Sequence, residues 1–161
     1  MNTYTIYTDG GCDPNPGPGG WGVVILQPGG SALELSGGDV DTTNNRMELQ
    51  AAVEAFRALP EPAEVEIYTD SQYLMRGITE WLPTWVRKGW RTTNGKVANR
   101  DLWQALLTAS SRHSVHWHWL RGHTGDRHNE RADLLVKVGR RKALREGKHT
   151  PPPDEQKGLF E

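Results

Sequence analysis

The spacing of apolar residues first changes near residue 43, from strand to helix, and that change constrains the fold more than any other feature. Before it, Tyr4, Ile6 and Thr8 alternate with Thr5 and Tyr7 over residues 3 to 9. Trp21 to Leu26 is a short run bounded by Gly and Pro, and Ala32 to Ser36 follows a Pro28-Gly29-Gly30 turn. Three such runs joined by short turns predict an antiparallel meander. After the change, Met47, Ala51, Ala52, Val53, Ala55, Phe56 and Leu59 recur at helical spacing over residues 43 to 59, and Pro60 and Pro62 stop the helix. Val65 to Thr69 then reads as a strand, Ser71 onward and Asp101 to Ser110 as helices, Val115 to Leu120 as a strand, and Asn129 to Arg145 as a closing helix. Three strands followed by strand-helix alternation predict an α/β domain, a mixed sheet with helices packed on it.

A chain of 161 residues suits one such domain. No apolar stretch approaches the roughly 20 residues of a membrane span, and the first residues, Met-Asn-Thr-Tyr-Thr-Ile, lack the charged and apolar segments of an export signal. The single Cys12 cannot form an intramolecular disulfide. A monomer in the reducing cytoplasm is therefore expected. The polar, Pro-rich residues 146 to 161 are expected to form a flexible tail. The formal net charge is only -1, but it is unevenly spread. Residues 81 to 100 carry Arg87, Lys88, Arg91, Lys96 and Arg100 with no acid, and residues 137 to 149 carry Lys137, Arg140, Arg141, Lys142, Arg145 and Lys148 against Glu146 alone. Both segments suit either a polyanionic partner or a solvated face.

The tetrapeptide Ile-Tyr-Thr-Asp occurs twice, ending at Asp9 and at Asp70, each time closing a strand-like run before a turn. If the two strands are neighbours, both acids face one volume, where like charges repel unless a cation lies between them. Turn initiation alone also explains each Asp. Glu48 heads the 43 to 59 helix, and Asp133 lies near the start of the last one. Either can be a helix-start acid that gains from the macrodipole. Thr42-Thr43-Asn44-Asn45-Arg46 supplies a helix cap and neutral hydrogen-bonding groups suited to a phosphate or sugar. Ser71-Gln72 after Asp70 can cap the next helix and leave Gln72 outward.

Gly17-Pro18-Gly19-Gly20-Trp21-Gly22 satisfies G-x-G-x-x-G, yet prolines precede it and β-rich residues follow, so it reads as a tight turn between strands and not as a dinucleotide site. His113, His116, His118, His123 and His128 crowd together without a second Cys, which argues against zinc. His123 differs, because its flanking glycines place it in a loop where an imidazole can move protons. Trp81, Trp85 and Trp90 interleave with Arg87, Lys88 and Arg91, a pattern that fits core packing for some rings and a nucleic-acid grip for the segment.

The frames Tyr-Thr-Asp9-Gly-Gly, Thr-Thr-Asn-Asn-Arg-Met-Glu48-Leu, Tyr-Thr-Asp70-Ser-Gln and Asn-Glu-Arg-Ala-Asp133-Leu resemble the type 1 ribonuclease H family, as do Asn15 to Gly20, Arg121-Gly122-His123 and the Trp81 to Trp90 segment. The resemblance covers residues 2 to 145 in order. It implies a ribonuclease H-like five-stranded mixed sheet flanked by helices, a catalytic domain over 1 to 145 with a basic protrusion at about 81 to 100, and hydrolysis of the RNA strand of RNA-DNA hybrids with Mg²⁺. By resemblance, Asp9, Glu48, Asp70 and Asp133 bind metal, and His123 assists proton transfer or product release. Asn15, Thr43, Asn44, Asn45 and Gln72 meet the hybrid, and the protrusion, with Trp81, Trp85, Arg87, Lys88, Trp90 and Arg91, grips the DNA strand. Four hard oxygen ligands suit two Mg²⁺ ions, or Mn²⁺ in their place, about 4 Å apart. The products would be 5′-phosphate and 3′-hydroxyl ends. Gly11 and Leu134 depart from the family pattern without removing a ligand. Two alternatives keep much of this frame: a hybrid-binding module without chemistry, and a metal-dependent DNA nuclease.

Overall fold

The computed structural model describes residues 1–92, 95–121 and 126–153. Strands β1 (Thr3–Cys12), β2 (Gly17–Leu26) and β3 (Ala32–Thr42) form the expected antiparallel meander, and helix α1 (Asn44–Arg57) follows. Strand β4 (Glu64–Thr69) leads into α2 (Gln72–Arg76), a π-helical turn (Gly77–Trp81) and α3 (Leu82–Arg87). Two short strands, β5 (Arg91–Thr92) and β6 (Gly95–Lys96), pair with each other before α4 (Arg100–Ser110), β7 (Ser114–Trp119) and α5 (Arg127–Glu146). The main sheet has the order β3-β2-β1-β4-β7, antiparallel on the β3 side of β1 and parallel beyond it. This is the mixed sheet that the change of period predicts.

Strand alternation sorts the side chains between two cores. Tyr4, Ile6, Val65 and Ile67 enter a large core with Leu49, Val53 and Phe56 of α1 and Trp103 and Leu106 of α4. Tyr7 and Val24 turn to the opposite face and meet Ala132 and Leu135 of α5. On that second face the Tyr7 and Tyr68 rings stack at 4.9 Å between centroids, and Tyr68 stacks on His118 at 4.6 Å, a row that crosses β1, β4 and β7.

Two expectations need correction. The glycine-rich segment 17 to 22 is not a turn but half of β2, with Pro18 at the irregularity between Gly17 and Gly19. Gly20 and Gly22 serve the contact with α5: a Cβ on Gly20 would lie 2.0 Å from the Val136 carbonyl oxygen. Likewise β3 does not stop at Ser36 but runs on through Gly37 and Gly38 to Thr42, and a Cβ on Gly139 would lie 2.0 Å from the Gly37 carbonyl oxygen. Local composition announces a loop here, whereas the helix crossing the sheet requires small residues in a strand. The backbone of Val40 donates to the Lys148 carbonyl at 2.9 Å, His149 Nδ1 lies 2.7 Å from Asp39 Oδ1, and Thr150 N donates to Asp39 Oδ2 at 2.9 Å. Residues 148 to 150 are thus bonded to β3, while 154–161 lie outside the described residues.

Gly20→Ala should force α5 off the sheet and lower the unfolding free energy by about 1 to 3 kcal/mol. Urea denaturation would measure it, and unchanged stability would refute the claim that this contact needs a glycine.

Candidate active site

The two Ile-Tyr-Thr-Asp copies lie side by side and in step. Ile6 pairs with Ile67 and Tyr7 with Tyr68 across the parallel β1/β4 ladder, so Asp70, directly after the last residue of β4, lies beside Asp9, which does not close its strand as expected but sits within β1, paired with Gly22 while the strand runs on to Cys12. Gly10 brings in the third acid. A Cβ there would fall 2.5 Å from the Glu48 backbone nitrogen, so only glycine lets the first turns of α1 settle on β1. Carboxylate oxygens of Asp9, Glu48 and Asp70 consequently all lie within 4.8 Å of one another.

Asp133 joins from the other side. The seating of α5 on Gly20 and Gly22 carries its second turn to the sheet edge, where Asp133 lines the same groove as the three other acids and raises the pKa of Asp9. Asn44, Asn45, Ser71, Gln72 and Tyr73 complete the wall. Among the described residues, those lining the groove include no lysine or arginine. Arg46, the nearest cation along α1, is directed elsewhere: its guanidinium forms two bonds of 2.9 and 2.7 Å with Asp101 and a third with Asn99.

The electrostatic consequence is large. Burial, then the charge of Asp70, pushes the Asp9 carboxyl up to about 8, despite the Gly10 N–H that donates to its Oδ1 at 2.9 Å. Glu48 is raised well above the usual range by burial and by the neighbouring Asp9 and Asp70, and its Oε2 is buried without a hydrogen-bond partner. An unpartnered buried carboxylate oxygen facing two more carboxylates suits a hard divalent cation, which would satisfy the orphaned atom and offset the repulsion.

The polar residues are held by one another. Thr43 Oγ1 accepts the Arg46 N–H at 3.2 Å and caps α1. Asn44 N donates to Asn15 Oδ1 at 3.1 Å, and Cys12 N donates to Asn44 Oδ1 at 2.6 Å, which ties the 13 to 16 loop to the start of α1. Ser71 Oγ caps α2 by accepting the Leu74 N–H at 3.1 Å, leaving Gln72 beside Asp70. Thr43 and Asn15 are therefore next to the groove, and Asn44, Asn45 and Gln72 line it.

The expected protrusion separates into two parts. Trp81, Trp85 and Trp90 are half-buried and meet in sequence as tilted pairs at 5.9 and 6.1 Å between centroids, joined to the core by edge contacts with Tyr73 and Trp103. Gly77 lies directly under Trp103, with room for no side chain. Arg87, Lys88 and Arg91 are exposed beyond this aromatic stem. His123 lies outside the described residues, as does the rest of 122–125. Gly10 and Tyr73 are parts of the site that sequence reasoning misses; for Gly10 the available signal is its place directly after Asp9.

Because Asp9 holds its proton far above the unfolded value of about 3.9, the folded state binds more protons than the unfolded chain between about pH 4 and 8. The contribution of this group to stability therefore falls as pH rises through that window. In EDTA, melting temperature at pH 8 relative to pH 5.5 should rise in Asp70→Asn compared with the original protein, and millimolar divalent cation should recover stability at pH 8 in the original protein only. Parallel profiles for the two proteins would show that the carboxylates are not coupled in this way.

A family model, RNase H, matches residues 1–141. The chain is 54% identical over 147 residues to a ribonuclease H of Hahella chejuensis, an alignment covering 91% of this chain and 99% of that one. Its fold resembles LC9-RNase H1, described as a type 1 RNase H with the type 2 active-site motif, with a TM-score of 0.77, 34% identity and coverage of 86% of this chain and 72% of that one. It also resembles LC11-RNase H1 in its crystal structure with an RNA/DNA hybrid, with a TM-score of 0.66, 27% identity and coverage of 88% and 99%. With its adjacent acids on β1 and after β4, its sheet order and this extent of similarity, the chain belongs to the ribonuclease H family.

Proposed function

We propose that this chain is an endonuclease that cuts the RNA strand of RNA-DNA hybrids with two Mg²⁺ ions held by Asp9, Glu48, Asp70 and Asp133, Mn²⁺ being an acceptable substitute. The observation that carries the reading is the meeting of three carboxylates within 4.8 Å, with Asp133 on the same groove, in a chain whose structural relative LC11-RNase H1 was crystallised with an RNA/DNA hybrid. Bound divalent ions supply an acidified water and a counter-charge for the leaving 3′-oxygen, the chemistry that gives 5′-phosphate and 3′-hydroxyl ends.

The protein's own groups do the rest. Asn15 and Asn44 use their side-chain oxygens as acceptors within the protein, which turns their amide nitrogens outward as donors for a phosphate or a 2′-hydroxyl. Gln72 and Asn45 line the groove with the carboxylates, where the 2′-hydroxyl that distinguishes RNA would lie. Thr43 holds the start of α1 in register with these groups. His123 is assigned to proton transfer or product release. Arg87, Lys88 and Arg91 meet phosphates of the DNA strand, with Trp81, Trp85 and Trp90 as the rigid stem that presents them. The reading extends to a catalytic domain over 1 to 145 acting as a monomer in the cytoplasm, in keeping with the free thiol of Cys12. No helix among the described residues is long and apolar enough to cross a membrane.

The primary test compares labelled RNA-DNA hybrid with double-stranded RNA and DNA, with Mg²⁺ and with EDTA. Asp70→Asn should abolish hybrid cleavage with the fold retained by circular dichroism. His123→Ala should slow turnover without eliminating it. Full activity of Asp70→Asn would remove the metal assignment, and equal cutting of duplex DNA would favour a DNA nuclease. Separately, Arg87→Glu with Lys88→Glu should raise KM several-fold and flatten its dependence on salt, because phosphate contacts release counterions; a KM unmoved at every salt concentration would take the protrusion out of substrate binding.

A further inference from the structure

The carboxylate groove does not end at Asp133. A second groove continues from it along α5, sharing Gly11 and Asp133 with the first and bordered by Lys137, Arg140 and Arg141, with Asp13 opposite. Asp133, Lys137 and Arg141 stand four residues apart and so occupy one stripe of the helix, about 12 Å long at 1.5 Å per residue. From Leu134 to Arg145 the helix carries five cations and no acid.

The side chains differ in what holds them. Arg140 is committed to the protein: it donates to the Asp13 carbonyl at 2.9 Å and to the Pro18 carbonyl at 3.3 Å, which fastens the 13 to 18 loop to α5 while keeping its positive charge at the groove wall. Lys137 and Arg141 are exposed and form no ion pair among the described residues. Lys142 and Arg145, on the same helix, stay outside the groove.

We propose that the Lys137-Arg141 stripe is a second contact surface for the nucleic-acid backbone, holding the strand that passes Asp133 and runs on along α5. This assignment rests on the nuclease reading above. Lys137 and Arg141 stand about 6 Å apart along the helix at 1.5 Å per residue, which suits two neighbouring phosphates of one strand. The cations stand on a helix face that offers no ring to stack on and no recess for a base, so they grip the backbone without reading sequence. The surface lies on α5, whereas the protrusion follows α2, so the two would hold the substrate from different elements.

The test uses the full chain with Lys137→Ala and Arg141→Ala combined, beside Lys142→Ala and Arg145→Ala combined, which makes the same change of net charge on the same helix. Hybrid cleavage is measured from low to high salt, and melting temperatures establish that both proteins are folded. Loss of two phosphate contacts should raise KM about tenfold near 0.1 M salt, leave kcat within about twofold, and make the slope of log kcat/KM against log salt shallower by about 1.8. The Lys142 and Arg145 pair should show less than half of each effect. Equal effects in both pairs would mean a diffuse field and overturn the stripe, as would no effect in either. Binding of the same hybrid in EDTA, followed by fluorescence anisotropy, separates the two readings: binding that depends on the stripe without any cleavage by the original protein would retain the surface and refute the nuclease, whereas cleavage unaffected by the stripe variants would do the reverse.

Discussion

The parallel pairing of β1 with β4 is the constraint on which the rest of this structure depends. Ile6 opposite Ile67 and Tyr7 opposite Tyr68 set the register, and a slip by one residue would turn every side chain of one strand to the wrong face. The two isoleucines would then leave the α1 core, the Tyr7 and Tyr68 rings would lose their stacking, and Asp9 and Asp70 would part. Packing on both faces of the sheet therefore specifies the spacing of two charges at its edge. The register is upheld by apolar contacts, so it survives the repulsion that it creates.

That repulsion runs against ordinary folding. Three carboxylates share one small volume, Glu48 retains an unsatisfied oxygen, and Asp9 holds its proton up to about 8. The fold tolerates the arrangement by making its neighbours rigid and neutral. Arg46 is turned away to Asp101, the asparagines interlock with the backbone, and Ser71 and Thr43 are occupied as caps. A salt bridge in place of any of these would lower the local energy and remove the anionic character on which divalent-ion binding depends.

Much of this is legible in the amino-acid sequence alone. The paired acids Asp9 and Asp70 are visible because the same four residues recur, and the mixed sheet because three strand-like runs give way near residue 43 to alternating helix and strand spacing. Glu48 stands out less, since a first-turn acid is common; what distinguishes it is Gly10, whose missing side chain matters only when α1 lies on β1. The segment 17 to 22 misleads because glycine and proline report local freedom, whereas Gly20 and Gly22 answer a helix 110 or more residues away in the chain. The strap from Lys148 to Thr150 is hidden for the same reason: Asp39, which holds it, has no local feature that announces a partner so far along the sequence. The tryptophans are ambiguous because one ring type serves both a stem and a binding surface, and only their contacts with Tyr73 and Trp103 show how far they belong to the first.

The four acids come from β1, α1, the end of β4 and α5, at positions 9, 48, 70 and 133 of a 161-residue chain. No contiguous fragment much shorter than the domain contains them all, and the pairing that unites the first and third closes a loop of about sixty residues, the kind of non-local contact that forms late. A nascent chain on the ribosome, or one clipped by a protease between β4 and α5, would present at most three of the acids. For a member of the ribonuclease H family, the complete set of these acids then arrives only together with the finished fold.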